Sequence, residues 1–443
     1  MATKRIDILT LGCSKNLVDS ERLMARLEAE GYHCFHDDPK PTGRIVVINT
    51  CGFIGDAKEE SINTILQFAA RKTAGKIDSL YVMGCLSQRY LHDLEQEIPE
   101  VDRWFGKFDY LDLVDEITKK KGQTKECQVA LRHLTTPRHT AYLKISEGCN
   151  RFCSYCAIPL ITGQHISRSK EDILEEVHWL KDQGVKEINV IAQDLSSYGL
   201  DLYGRHALPE LVDEMAQIEG IKWIRLHYAY PADFPMELLD VMARHKNVCN
   251  YLDIALQHCT THMLSQMRRH ITVEEQNTLL TAIRARVPDI HIRTTLMVGH
   301  PGETEEDFDE LCRWIKEMRF ERMGAFAYSE EDGTFAAQHY ADDIPDDVKQ
   351  ARLSKLMLIQ QQISAEIQQS KVGKTLQVLI DREENGYWVG RTEYDSPEVD
   401  CETLIKKEDA SPTVQTGDFI NVIIERAEDF DLYGKQQINM GRA

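Results

Sequence analysis

The chain has 443 residues and a formal net charge of −20, from 52 Lys and Arg against 72 Asp and Glu. That length predicts about three domains, and so acidic a surface disfavours phosphate backbones unless a local basic patch overrides the field. No apolar run approaches the roughly 18 residues of a membrane span, and Asp7 stands where a signal peptide needs an unbroken apolar core, so no membrane association and a cytoplasmic location are expected.

In chain order, residues 1–125 alternate β-rich runs with helical periodicity: "RIDILTLG", a 3.6-period stretch from Asn16 to Glu30 ended by Gly31, "RIVVINTCGF", "KEESINTILQFAARK" and "SLYVMGCLSQ". This βαβ rhythm predicts a doubly wound parallel sheet. Its strands run into Cys13, Cys51 and Cys85, and ligand sites in such sheets lie beyond the strands' carboxyl ends. A polar linker from "KKKGQTKECQ" to "TTPRHT" follows. Residues 135–368 then carry six candidate strands, "AYLKISEGC", "KEINVIAQD", "WIRLHYA", "YLDIALQH", "HIRTTLMVG" and "RMGAFAYS", separated by helix-length segments. An incomplete (β/α)6 barrel with its site at the strands' carboxyl ends fits that pattern. Residues 369–443 alternate apolar and polar positions between Gly, Asn and Asp turns, as a small antiparallel β barrel would. The fold class is therefore multidomain α/β with a terminal β barrel.

Twelve cysteines in a reducing compartment read as thiols for metal or redox chemistry, not as a disulfide scaffold. Cys34, Cys127, Cys249, Cys259, Cys312 and Cys401 share no ligand spacing and read as buried small hydrophobes. Cys149, Cys153 and Cys156 form C-x3-C-x2-C directly after a predicted strand. Three thiolates on one loop fill three corners of a 4Fe-4S cube and leave one iron open, and an open position is the mark of a catalytic metal. A zinc site would want a fourth ligand, and the nearest candidate, His165, lies in a polar loop.

On this loop the sequence resembles the radical S-adenosylmethionine superfamily. The order of a three-cysteine domain, a radical barrel and a small β barrel of the TRAM or OB-like kind resembles the methylthiotransferase family over essentially the whole chain. The resemblance implies two 4Fe-4S clusters. One is held by Cys149, Cys153 and Cys156, whose free iron chelates S-adenosylmethionine, and an auxiliary one by Cys13, Cys51 and Cys85. It implies that S-adenosylmethionine serves both as methyl donor and as source of a 5′-deoxyadenosyl radical. Tyr155 is implied to shield the first cluster, while Gln193, Asp194, Gln257, His258 and Arg293 are implied to lie against S-adenosylmethionine. A flavodoxin-type electron donor and a sulfur donor are implied partners.

Family members divide by substrate, adenosine in transfer RNA or an aspartate of ribosomal small-subunit protein twelve. "LGCSKNLVDSE", "CSYCAIPLITG", "LQHCTTHMLSQMRR", "YSEEDGT" and "GRTEYDSPEVD" resemble the protein-modifying branch, with Gln164 a small departure where Arg is common. That branch adds a methylthio group at the aspartate β-carbon. From Lys371 onward nine basic residues face fifteen acidic ones, which suits a basic ribosomal protein steered by Glu393, Asp395, Glu398 and Asp400 and makes transfer RNA unlike the expected partner. A non-enzymatic iron-sulfur carrier is the alternative from another class, but it would complete its clusters with four cysteines.

Overall fold

The strand Arg5–Thr10 is the second of five parallel strands, set between His33–His36 and Ile45–Thr50, with Ser79–Gly84 and Arg103–Trp104 beyond. The computed structural model describes residues 4–120 and 132–437. The centre of the linker and Cys127 lie outside the described residues. Because successive side chains on a strand point to opposite faces, Val46 and Ile48 pack on one side with Ile65, Phe68 and Leu86. Val47 packs on the other with Leu23, Leu27 and Leu113. Helices Gly55–Thr73 and Cys85–Glu97 thus cover one face, and Ser14–Ala29 and Tyr110–Thr118 the other. The strand order reverses between Arg5–Thr10 and Ile45–Thr50, which makes that crevice the switch point of the sheet.

A second sheet has six strands, Thr140–Lys144, Glu187–Ile191, Trp223–Ala229, Val248–Ile254, His291–Val298 and Arg322–Ala327, side by side in chain order and all parallel. Along these strands the side chains alternate: Ile188, Val190, Ile224, Leu226, Leu252 and Ile292 are fully buried in the core shared with the covering helices, while Glu187, Asn189, Arg225, His227 and Asp253 stand between them on the other face. Two of the covering helices begin in capping boxes, Thr272 with Glu275 and Thr304 with Asp307, each cap stabilising its helix by about 1 kcal/mol. The sheet stays open, with Thr140–Lys144 and Arg322–Ala327 at its edges.

The first domain reaches both edges. At one, Arg132 joins Glu21 to Glu176, and Arg22 also reaches Glu176 at 3.2 Å. Beyond the other, Lys58 and Arg89 lie 2.8 and 2.7 Å from Glu331.

The last five strands, Thr375–Glu384, Tyr387–Thr392, Thr403–Lys406, Phe419–Ala427 and Leu432–Gln436, close into a barrel around Val378, Ile380, Ile405, Val422 and Ile424. Four seams are antiparallel, as expected. The fifth, between Thr403–Lys406 and Leu432–Gln436, is parallel.

This barrel seats against the amino-terminal ends of the six parallel strands. Glu187, the first residue of its strand and fully buried, lies 2.7 Å from Arg391 and 3.1 Å from Arg225. Arg322 meets Asp395 at 2.5 Å, and the Tyr251 hydroxyl donates to Asp400 at 2.9 Å. The expected acidic steering face is therefore corrected. The side chains of Asp395 and Asp400 are buried in ion pairs and Glu393 is half-buried; of the four, Glu398 alone is exposed. The sign of a charge in sequence does not say which face carries it. Of the cysteines assigned to the core, Cys249, Cys259, Cys312 and Cys401 are buried, whereas Cys34 is half-exposed, its thiol 3.8 Å from the Met24 carbonyl.

Candidate active site

Cys13, Cys51 and Cys85 follow the first, third and fourth strands and meet at the switch point. Cys51 comes directly after Thr50, and Cys85 directly after Gly84. Gly12 has φ 94°, and a Cβ there would stand 2.6 Å from Cys51 Cβ and 2.8 Å from its sulfur, so the Cys13 loop approaches Cys51 as only glycine allows. Asn16 ties the three strand ends together. Its Nδ2 donates to the Leu11 and Thr50 carbonyls at 3.0 Å, and its Oδ1 accepts from the Cys85 thiol at 3.6 Å and from Lys107 Nζ at 3.5 Å. Nothing in the spacing of Asn16 within "LGCSKNLVDSE" signals this clamp.

Burial raises the thiol pKa of Cys51, and carries that of Cys85 to about 12. Cys13 faces an opening yet is ringed by protein at longer range. Burial pushes its pKa up too, but Lys15, Lys107 and the backbone N–H groups of Asn16 and Lys15 outweigh it and leave it below the ordinary thiol value.

The second trio sits beyond the carboxyl end of Thr140–Lys144, on a loop opened by a two-stranded pairing of Ser146–Glu147 with Ile166–Ser167. Gly148 has φ 80°, and a Cβ on it would lie 2.0 Å from the Gln164 carbonyl oxygen. The Cys149 N–H donates to Gly163 O at 3.2 Å and the Cys156 N–H to Cys153 O at 3.1 Å. Between the last two cysteines, the Ser154 N–H donates to Met267 O at 3.0 Å. The Ser154 hydroxyl lies 3.0 Å from His300 Nε2, while His300 Nδ1 donates to the Pro301 carbonyl at 3.0 Å, so Nε2 is the acceptor. Burial lowers the His300 pKa to about 4, which keeps the ring neutral in that arrangement.

Burial also lifts the Cys149 thiol to about 11 and raises Cys156, so these groups become thiolates only when a cation compensates them. Around the trio stand Arg269 Nη1, 3.4 Å from the Cys153 sulfur, and the Tyr230 hydroxyl, 3.8 Å from it. Among the described residues no three His, Cys, Asp or Glu side chains gather as they would around a single metal ion. Three thiols on one loop with N–H and cationic neighbours suit a cube, whose irons sit at separate corners. His165 is buried with Nε2 3.1 Å from Ser167 Oγ.

The side chains expected against S-adenosylmethionine divide. The Tyr155 hydroxyl is 3.4 Å from Arg269 Nη1, and its ring meets His300 edge-on at 6.3 Å. Gln193, beyond the strand Glu187–Ile191, donates to Glu147 and leaves its buried Oε1 without a partner. Asp194 holds Arg151 at 2.7 Å and caps a short turn. Gln257 has φ 71°, held there by N–H donation to Thr295 O at 2.9 Å and acceptance from Met297 N at 2.8 Å. His258 is turned into the core, 3.2 Å from Glu303. Arg293 departs from expectation. It is the third residue of its strand and lies 3.5 Å from Asp253 and 3.3 Å from Asp400, at the amino-terminal end where the β barrel seats.

The two trios share one interior. Cys85 packs in a buried cluster with Ala157 and Ile161, on the segment that continues from Cys156. Lys144 of the barrel pairs with Asp19 of the first domain, and Lys107 of the first domain lies 3.7 Å from Glu147, so paired charges line the seam between the domains.

Residues 143–315 match the Radical SAM superfamily, residues 5–106 the uncharacterized protein family UPF0004, and residues 372–436 the TRAM domain. The chain is 58% identical over 434 residues to the ribosomal protein uS12 methylthiotransferase RimO of Phocaeicola vulgatus, covering 98% of this chain and 99% of the relative. The protein of the same name from Christiangramia forsetii is 51% identical, covering 97% and 94%. In fold it is similar to the radical S-adenosylmethionine methyltransferase TsrM of Kitasatospora setae, with a TM-score of 0.56 at 13% identity, over 87% of this chain and 77% of that one. With identity this high over nearly full length, and both cysteine trios at strand ends, the chain belongs to the RimO family of radical S-adenosylmethionine methylthiotransferases.

Proposed function

We propose that the protein adds a methylthio group to the β-carbon of an aspartate in ribosomal protein uS12. The observation that carries this reading is the meeting of two three-cysteine loops from two domains, with Cys85 packed against Ala157 and Ile161. We assign Cys149, Cys153 and Cys156 to one 4Fe-4S cluster and Cys13, Cys51 and Cys85 to a second. When bound, these groups and S-adenosylmethionine supply one-electron chemistry and a methylated sulfur, with S-adenosylmethionine used both as methyl donor and as radical source. An electron donor of the flavodoxin type and a sulfur donor complete the reaction. A methylene beside an aspartate carboxylate has no accessible acidic proton, because removing one would build a second negative charge next to the first. Hydrogen-atom abstraction avoids that cost.

The chain's own residues hold and enclose the site. Asn16 fixes the three loops of the first trio. Ser154, through His300, fixes the second. Tyr155, Gln193 and Gln257 are the side chains assigned to the S-adenosylmethionine pocket, Gln193 through its unpaired Oε1. Arg293 belongs to the interdomain ion pairs. A cytoplasmic location agrees with a ribosomal protein as substrate, and among the described residues no helix is long and apolar enough to cross a membrane.

The test is anaerobic reconstitution followed by incubation with isolated uS12, S-adenosylmethionine, sulfide and reductant. Mass spectrometry of uS12 should show a gain of one methylthio group on an aspartate. Unchanged uS12 beside modified transfer RNA would reverse the substrate assignment.

A further inference from the structure

Arg269 closes the segment "LQHCTTHMLSQMRR", and no role described so far uses it. The side chain is 2% exposed. Its Nη1 stands 3.4 Å from the Cys153 sulfur and 3.4 Å from the Tyr155 hydroxyl, its Nη2 donates to the Ala255 carbonyl, and its Nε has no partner. The guanidinium lies 4.1 Å over the Tyr230 ring, and the Tyr230 hydroxyl donates back to the Arg269 carbonyl at 2.7 Å. Such stacking offsets only part of what burying a bare cation costs.

Other buried arginines of this chain meet that cost with a carboxylate. Arg132 has Glu21 and Glu176, Arg225 has Glu187, Arg322 has Asp395, and Arg391 has Glu187 and Asp381. Among the described residues Arg269 makes no such ion pair. The acidic side chains packed against it are the Cys153 thiol and the phenols of Tyr155 and Tyr230, and of these only the Cys153 sulfur belongs to the metal centre assigned to the loop.

We infer that Arg269 is the built-in counter-cation of the metal centre on the 149–156 loop, a positioning residue that holds the Cys153 thiolate and favours the reduced state of the centre. The inference rests on the cluster assignment under Proposed function and adds to it the residue that sets the centre's potential. Tyr230 and the Ala255 carbonyl fix the guanidinium, so the charge stays in place without help from solvent.

The experiment uses the full chain with Cys13, Cys51 and Cys85 changed to Ala, so that only one cluster titrates. Arg269→Met, Arg269→Gln and Arg269→Lys are compared by iron content and by potentiometric titration followed by electron paramagnetic resonance. At a fixed ambient potential, the ratio of reduced to oxidised cluster should fall at least tenfold in the Met and Gln variants, about 59 mV for one electron, and the Lys variant should recover most of the loss. Should Met and Gln lose iron altogether, retention by Lys supports the same conclusion, because charge is then what the site requires. Loaded clusters with unchanged potentials in all three variants would overturn the inference, as would loss of iron from all three. No iron in the Arg269 parent would overturn the cluster assignment and this inference together.

Discussion

Cys85 of the first domain and Ala157, next in sequence to Cys156, lie in one buried cluster. The two trios are therefore set at a distance fixed by packing, although Cys85 and Cys149 stand 64 positions apart in the chain.

Each trio should nevertheless bind its cluster independently, because each is held by loops of its own sheet. Anaerobically reconstituted protein should carry about eight irons. Changing Cys149, Cys153 and Cys156 to Ala should leave about four and abolish cleavage of S-adenosylmethionine. Changing Cys13, Cys51 and Cys85 to Ala should also leave about four, with cleavage to 5′-deoxyadenosine continuing and no methylthio product. Iron analysis and product chromatography decide, and methylthio transfer by the second variant would make the first trio structural.

Gly148→Ala should empty the radical loop while sparing the first cluster. The new Cβ meets the Gln164 carbonyl oxygen at 2.0 Å, and φ 80° is strained for any residue with a side chain, at on the order of 1–3 kcal/mol before the collision is counted. Iron should fall by about half. Full iron content with normal cleavage would show that the loop can relax.

Glu187→Gln should cost about 3–5 kcal/mol, because it leaves Arg391 and Arg225 short of their shared carboxylate in a buried seam. The same carboxylate makes the seam acid-sensitive. Burial alone would raise its pKa, but Arg391 and Arg225 overcome this and hold it well below the ordinary 4.5; Arg322 and Lys371 do the same for Asp395. A depressed folded pKa gives stability that is present above the unfolded value and lost as pH falls towards the folded one. Asp253 acts in the opposite sense, since burial raises it to about 6, so its contribution grows as pH falls from 6 towards 3.8. Thermal melting should therefore decline steeply below about pH 4.5, and less steeply in Glu187→Gln. Parallel profiles would mean that Glu187 does not carry the dependence.

Deletion of residues 371–443 should produce an insoluble or poorly folded enzyme. Composition and strand pattern make the tail look like a separable module that could be removed with both clusters kept. The seam argues the reverse, because deletion strands Arg322 without Asp395 and Tyr251 without Asp400, and takes Arg391 from Glu187, which keeps only Arg225. Limited proteolysis and iron content of the truncated chain decide; a soluble two-cluster product would show the seam to be dispensable.

What could be read from residues alone follows from locality. The central strands of the first sheet announce themselves as buried apolar runs, those of the six-stranded sheet by their β-rich stretches spaced by helix-length segments, and the cysteines mark the strand ends. Partner choice is not local, so the parallel seam between Thr403–Lys406 and Leu432–Gln436 is invisible in the alternation of either strand. Nor does a one-dimensional pattern show direction. Asp395 and Asp400 read as solvated acids but face Arg322 and Arg293, and Arg293 on its strand looks like a cofactor contact until Asp253 and Asp400 are seen beside it. Arg269 carries no spacing signal at all.

The bridge from Lys58 and Arg89 to Glu331 also sets an order of assembly. It joins positions more than 240 residues apart, and domains generally fold as they leave the ribosome, amino-terminal first. The first sheet and the 149–156 loop are synthesised well before Glu331, so this tie between the two domains closes only after both have emerged.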